Sequence, residues 1–599
     1  MAQKKKEFKT SADIAIEFSW EVCNKVGGIN TVLASKADQM VKAYGNEGYY
    51  LVGPYIPEKF KYQFEEKSPT PELRPIFENL DKEGIYCHFG NWLINGNPRV
   101  ILIDFKNTYS HLNDYKWQLW DSYKVDSLNS GFDFNEPVVW GYAAAKFLNG
   151  LCAASPDKKI VGHFHEWLAG AALLFSKKFN PNIATVFTTH ATTLGRSLAY
   201  NSVDFYSDIQ SIDPQKEAYR FGIQSKHLLE KAAAEQSSVF TTVSEITGLE
   251  CQYFLGRKPD IVLPNGLDVG KYLTFEDLVI KHRTQRSRLR EFLFYYFFPH
   301  YTFDLKNTLF YFIMSRYEFH AKGIDSTIKA LGIINDRLKK ERSEKTIVTF
   351  FWVPAYVKEI KQEIIENRSN YFEIKQFVQE DSEDLADSFM YSLFSTQDLK
   401  DTDVFEDSSY SILENKLKKI RRTGVPPLST HELVDPNDQI IQAFHEAGLD
   451  NKQNDRVKVV FYPIYLTEND KLLNLSPQGA VQGCHLGIFP SYYEPWGYTP
   501  LEAAVEAVPA VTSDLSGVGR FMEPLTKGKD NPGIFVVNNF KKEEKQVVDQ
   551  MADIFYDFAH LPQKDRVEDK IEAKDLVNHC DWSNLVENYL KAHDQALGE

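Results

Sequence analysis

A chain of 599 residues is too long for one ordinary hydrophobic core, so two large α/β domains plus an insertion fit better than a string of small domains. A net charge of −15 argues against nucleic acid as the main partner, and 43% hydrophobic with 25% charged residues is an ordinary soluble composition. The six cysteines (Cys23, Cys87, Cys152, Cys251, Cys484 and Cys580) form no C-x-x-C pair, which points to reduced thiols in a cytoplasmic setting rather than disulfides or zinc. The most apolar run, Phe292–Phe298, stops at Pro299 and is too short to cross a membrane.

In chain order, Ile14–Phe18 predicts a strand, followed by a glycine loop, Lys25-Val-Gly-Gly-Ile29, and a helix through Ala34, Ala37 and Met40. Tyr49–Val52 and Arg99–Ile103 predict buried strands. Three strand-to-helix passages follow. Lys159–Val161 leads into His163-Phe-His-Glu-Trp-Leu-Ala-Gly170, and Ile183–Phe187 into Thr188-Thr-His-Ala-Thr-Thr-Leu-Gly-Arg196. Val239–Val243 leads into a helix with Ser244 as N-cap. Pro264–Asp268 closes this first domain, over residues 1–270. A second α/β domain, over 271–560, takes strands at Leu309–Ile313, Ile347–Phe351, Val457–Phe461, Leu486–Phe489, Ala510–Thr512 and Gly533–Val537. Strands alternating with helices predict parallel, doubly wound, Rossmann-like sheets with ligands outside the strands' carboxyl ends. The long gap between the second and third of these strands predicts an inserted helical arm over 355–450, for subunit contacts. Its middle, Glu380–Asp407, is acidic, and Lys416–Arg422 is basic. Residues 561–599 predict a terminal helical segment that packs back on the first domain.

The densest chemistry lies in Pro490-Ser-Tyr-Tyr-Glu-Pro-Trp-Gly-Tyr-Thr-Pro-Leu-Glu502. A strand end, a Pro/Gly-broken loop and a helix N-terminus present backbone N–H groups to phosphates and sugars. Glu494 sits in the loop, within reach of a ligand. Glu502 sits in the first turns of the helix, where it accepts from hydroxyls or merely suits the helix dipole. Arg316 and Lys322 follow the first strand of the second domain. A fixed guanidinium and a compact ammonium there neutralise the charge that grows on a departing diphosphate, in place of a metal. Asp401-Thr-Asp403 has the letters of a metal-binding pair, but lies in the acidic insertion. Lys25 with Gly27 and Gly28 lets backbone approach a ligand closely. His190 and Arg196 suit a sugar hydroxyl and a phosphate. His163, His165 and Glu166 crowd another strand end, where satisfied structural groups are the simpler reading and the spacing matches no standard zinc pattern.

In family order, the blocks KVGGI, HFHEWLAG, TTHATTLGR, FTTVSEIT, LPNGLDV, SRYEFHAKG, GCHLGIFPSYYEPWGYTP and CDW resemble the animal and fungal type of glycogen synthase. The resemblance implies a GT-B fold, with two Rossmann-like domains facing a cleft that closes around UDP-glucose. It implies retaining transfer of glucose to the 4-hydroxyl at a non-reducing α-1,4-glucan end, with no metal or other cofactor. By position, Lys25 and Arg316 would meet the diphosphate, with Lys322 beside them and the Gly27-Gly28 backbone close by. His190 and Arg196 would contact glucose and phosphate. Glu494, Trp496 and Gly497 would hold the glucose, Thr499 a phosphate and Glu502 the ribose. The catalytic set would be Glu494, Arg316, Lys322 and His190. Implied partners are a glucan acceptor, a glycogenin-like primer and further copies of the chain, as in a tetramer. Neither nucleic acid nor a membrane is expected.

The departures carry an expectation of their own. Where the family has a dense arginine helix that binds glucose 6-phosphate, Gln563–Asp575 keeps Lys564, Arg566 and Lys570 among five acids. His282, Arg286 and His485 of the effector region persist, whereas Glu276 and Val279 stand where the family has polar or histidine residues. A phosphate dianion would therefore meet balanced charge, and glucose 6-phosphate activation is expected to be weak or absent. Little chain follows Trp582, so a phosphoregulated tail is not expected either. An ADP-glucose-dependent glucan synthase and a non-catalytic glucan-binding scaffold are the alternatives. A phosphorylase would need a pyridoxal-phosphate lysine motif, and none is evident.

Overall fold

The computed structural model describes residues 9–380 and 407–598, with 386, 387, 390, 391 and 394 between them. The first sheet contains β1 (Ile14–Phe18), β2 (Tyr49–Pro54), β3 (Phe64–Glu66), β4 (Tyr86–Trp92), β5 (Arg99–Asp104), β6 (Ile160–His165), β7 (Ala184–Thr189), β8 (Val239–Thr242) and β9 (Ile261–Val262). Their order is β3-β4-β5-β2-β1-β6-β7-β8-β9, parallel except for the β3–β4–β5 edge. The two-residue period splits β1 between two cores: Ile14, Ile16 and Phe18 enter one, and Ala15 enters the other.

The second sheet contains β10 (Thr308–Met314), β11 (Thr346–Trp352), β14 (Val457–Tyr462), β15 (Leu486–Phe489), β16 (Ala510–Ser513) and β17 (Ile534–Val537), in the order β14-β11-β10-β15-β16-β17. All pairs are parallel. In both sheets the chain starts in the middle, winds out to one side, returns and winds out to the other. The direction changes at β1/β6 and at β10/β15, and ligands of such sheets bind outside those points.

The continuous apolar strands lie where the sequence predicts them. The short or edge strands β3, β4 and β9 were not foreseen. Nor was the two-stranded ribbon of β12 (Val357–Ile360) and β13 (His431–Leu433) at the base of the insertion. Helices Gln362–Glu380 and Asp407–Ile420 rise from that ribbon. Lys416 pairs with Glu373 at 3.4 Å, and Arg422 with Glu366 at 2.7 Å. The acidic run Glu380–Asp407 lies largely outside the described residues, Asp401 and Asp403 included. Phe292, Tyr295 and Tyr296 form the buried end of helix Phe275–Tyr296. None of the helices in the described residues is long and apolar enough to cross a membrane.

The terminal segment divides in two. Helix Gln563–Val577 stays on the second domain, where Lys574 Nζ donates to the Val505 carbonyl at 2.8 Å. Helix Trp582–Ala596 crosses to the first: Trp582 Nε1 donates to Ser35 Oγ at 2.7 Å, and Asp594 accepts from the Ser11 amide at 2.8 Å. The domains touch across the cleft, with the Tyr493 ring 6.0 Å from Phe205 and the Thr247 hydroxyl 3.4 Å from the Pro495 carbonyl.

Candidate active site

The loop after β10 and the loop after β15 lie against each other. Both the Tyr492 and Tyr493 amides donate to the Ala321 carbonyl, at 2.9 and 3.3 Å. Gly323 has φ +66°, and a Cβ there would lie 2.4 Å from the Pro490 carbonyl oxygen, so only glycine lets the loops meet. Lys322 Nζ then reaches Glu494 Oε2 at 2.5 Å, with both side chains mostly enclosed, at 12% and 24% exposure. Arg316 is different. Its side chain is 75% exposed and pairs with Glu318 at 2.9 Å, open to the cleft.

The loop after β15 is pinned from beneath. The amides of Gly517 and Val518 donate to the carbonyls of Glu494 and Trp496, at 3.0 and 2.8 Å. Gly497, at φ +99°, turns the chain into helix Tyr498–Val505. Thr499 stands half-buried in the first turn, and Glu502 is exposed. The walls around Glu502 desolvate its carboxyl and raise its pKa, while Lys25 of the first domain opposes that shift from across the cleft. Trp496 is a correction. Its indole is buried against Phe521 in the core, so only its backbone is left to meet a ligand as expected.

In the first domain, Lys25, Gly27 and Gly28 are exposed. A residue missed at the sequence level organises them: the Glu21 carboxylate accepts from the amides of Gly27 and Asn30, at 2.7 and 3.0 Å, at the start of helix Gly28–Gly48. The turn after β7 is held by three more carboxylates. Glu166 accepts from the Ala191 amide at 3.0 Å, Glu250 from the Thr192 hydroxyl at 2.5 Å, and Glu230 from the Thr193 amide at 2.9 Å. Burial raises all three carboxyls, Glu250 to about 7 and Glu230 to about 8. Glu230 and Glu250 had no sequence signal, because each lies tens of residues from the turn it holds. Arg196, 67% exposed, projects beside Glu166 at 3.9 Å.

His190 is buried behind this turn, with Nε2 3.0 Å from His165 Nδ1. His165 Nε2 lies 2.8 Å from Glu17, which also pairs with Lys36 at 2.6 Å. Desolvation lowers the pKa of both histidines. Burial alone would raise the Glu17 carboxyl, but Lys36 and His165 overcome it and hold it below the ordinary range. Glu17, His163 and His165 are close enough to share a metal ion, but their ring nitrogens already have protein partners. His163 bonds Thr188 at 2.6 Å and His593 at 3.0 Å.

The effector region overturns the expectation of balanced charge. His282, Arg283, Arg286, Arg290 and Lys570 line a cavity of about 450 Å³ between helices Phe275–Tyr296 and Gln563–Val577. None of the five acids of the second helix lines the cavity, and three of them have partners elsewhere: Asp569 accepts from the Gly533 amide at 3.0 Å, Glu568 takes Asn531 at 3.0 Å, and Glu572 pairs with Lys529. Counting charge along the chain mixed two helix faces. Burial and the neighbouring guanidiniums push the Lys570 ammonium down to about 7. Three of the expected residues, Lys564, Arg566 and His485, do not line the cavity. Lys564 is exposed beside Glu568, and His485 is buried with Nδ1 accepting from the Phe310 amide at 2.9 Å. Arg566 stays near enough to act on Lys570.

The family model described as glycogen synthase matches residues 17–599. A glycogen [starch] synthase of Dictyostelium discoideum is 36% identical, over 98% of this chain and 67% of its own. Isoform 2 of the Saccharomyces cerevisiae enzyme is 37% identical, over 98% and 86%. Among solved structures, the catalytic domain of starch synthase IV from Arabidopsis thaliana, bound to ADP and acarbose, is 12% identical. Its TM-score is 0.49, with 98% of this chain and 100% of that one covered.

Proposed function

The chain belongs to the glycogen synthase family, and from that premise we infer that it transfers glucose from UDP-glucose to the 4-hydroxyl at a non-reducing α-1,4-glucan end, with retention at C1. The observation that carries this reading is the Lys322–Glu494 contact at the β10/β15 crossover, with Arg316 open beside it. Lys322, Arg316 and Lys25 would take the diphosphate, and their fixed charge stabilises the leaving group as it departs. His190 and Glu494 would hold the glucose, Thr499 a phosphate oxygen and Glu502 the ribose.

We favour front-face transfer. The bond from C1 to the phosphate oxygen breaks with its electron pair on the phosphate. The acceptor O4 attacks the same face, and its proton passes to the departing phosphate. The Glu494 carboxylate is already engaged by an ammonium 2.5 Å away, which suits a carboxylate that orients rather than attacks. A glucosyl adduct isolated on Glu494 would replace this account with a covalent one.

The test is UDP release from UDP-glucose with glycogen as acceptor, with ADP-glucose run beside it. Turnover with UDP-glucose supports the reading. Preference for ADP-glucose moves the chain to the alternative donor, and release from neither donor favours a scaffold. For assembly, the arm of helices Gln362–Glu380 and Asp407–Ile420 is the proposed subunit contact, and light scattering of the chain with the arm deleted reads it directly.

A further inference from the structure

Behind His190 runs a chain of hydrogen bonds with one allowed direction. Lys36 Nζ and the Tyr49 hydroxyl donate to the Glu17 carboxylate at 2.6 and 2.9 Å, and all three residues are fully buried. An ionised carboxylate only accepts, so the His165 Nε2 that lies 2.8 Å from it carries a hydrogen. Burial keeps His165 neutral, and a neutral imidazole protonated on Nε2 has a bare Nδ1. His190 Nε2, 3.0 Å from that lone pair, is therefore the donor. Its own Nδ1 is left unprotonated, with no hydrogen-bond partner among the described residues and outside the fully enclosed polar atoms.

His165 is held against flipping. The His163 ring stacks on it at 4.3 Å and 20°, and His163 is fixed by Thr188 on one nitrogen and by His593 of the terminal helix on the other.

We propose that Glu17 and His165 are positioning residues for the donor sugar: through this chain they lock His190 in the Nε2–H tautomer, leaving Nδ1 as an obligate acceptor for a sugar hydroxyl. The inference rests on the donor-sugar role of His190 given above. It also accounts for an ion pair buried next to a catalytic cleft, where two charges would otherwise be a poor use of core volume. Lys36 keeps Glu17 ionised, and an ionised Glu17 sets the direction of every bond that follows.

The experiment is a double-mutant cycle on the full chain, with His165→Phe, His190→Ala and the double variant, read as kcat/KM for UDP release. Beside it, long-range proton–nitrogen NMR on histidine-labelled wild type assigns the His190 tautomer. The expected result is a loss of about tenfold from His165→Phe when His190 is present, the size of one sugar hydrogen bond, and no further loss when His190 is alanine. Equal losses in both backgrounds, or no loss in either, would overturn the proposal. So would a wild-type His190 protonated on Nδ1, a readout that needs neither activity nor a foldable variant. Should wild type release no UDP, the reading of the reaction fails, while the NMR result still decides the positioning chain.

Discussion

Lys322 Nζ sits 2.5 Å from Glu494 Oε2 and so ties the loop after β10 to the loop after β15. Each loop leaves a strand at the point where the second sheet changes direction, and neither residue would be placed without the other loop. The loops are also fastened to each other without the pair, by the Tyr492 and Tyr493 amides on the Ala321 carbonyl.

Substitution there is expected to separate chemistry from stability. Lys322→Ala and Glu494→Gln should each lower kcat by about 100- to 1,000-fold, the range seen when a fixed charge-stabilising group is removed. The melting temperature should move by only a few degrees. Steady-state UDP release with a thermal melt checks this; a large fall in melting temperature with little kinetic loss would make the pair structural.

The buried pair Glu17–Lys36 should behave in the opposite way. Glu17→Gln leaves the Lys36 ammonium fully buried without its counter-ion, and breaking such a pair costs about 3–5 kcal/mol. The folded pKa of Glu17 is depressed, so its contribution is present above the ordinary value of 4.5 and is lost as pH falls below it. Denaturant unfolding at pH 7 and at pH 4 should show a large difference between wild type and Glu17→Gln at pH 7 and a smaller one at pH 4.

Parts of this site were legible in the sequence for a definable reason. Pro490–Glu502 interrupts an apolar run with proline, glycine and carboxylates, and that composition marks a ligand loop at a strand end. Leu309–Ile313 and Val457–Phe461 are buried on both faces, so they show as apolar runs, the second broken only by Lys458, whose buried Nζ donates to the Lys452 carbonyl. β3 and β4 lie at the sheet edge, where exposed positions break the run. The direction of the Trp496 ring was not legible, because an aromatic residue in a ligand loop serves the core as readily as the sugar. Glu230 and Glu250 act on Thr193 and Thr192 across 37 and 58 residues, a distance no local pattern spans. In Gln563–Asp575 the charges were visible, but the helix turned the acids and the bases toward different neighbours.

The carboxylates around the His190 turn make a pH prediction. Glu230 and Glu250 titrate at about 8 and about 7 in the folded chain, above the ordinary 4.5. The folded state keeps protons that the unfolded state has lost, so their contribution is full below pH 4.5 and disappears as pH rises through 7 and 8. The melting temperature of wild type relative to Glu250→Gln should decline from pH 5 to pH 8, a difference in which the buried histidines, common to both proteins, cancel. A difference between the two proteins that stays constant over this range would rule out a protonated Glu250 in the turn.

The cavity between helices Phe275–Tyr296 and Gln563–Val577 makes the last prediction, and it reverses what the linear charge count implied. His282, Arg283, Arg286, Arg290 and Lys570 face one another there with no carboxylate among the lining residues, so a phosphate ester should bind. Lys570, held down at about 7, is half-charged at neutral pH, and an arriving dianion favours its charged form. Binding then takes up a proton and weakens as pH rises. Calorimetry with glucose 6-phosphate should show an affinity about tenfold or more weaker at pH 9 than at pH 7. Lys570→Gln should bind more weakly at pH 7 and lose most of that pH dependence, while Lys564→Gln, whose side chain lies outside the cavity, should match wild type. No heat of binding at either pH would mean that the basic face is closed to phosphate, and the expectation of a lost effector response would stand on a different footing from charge balance.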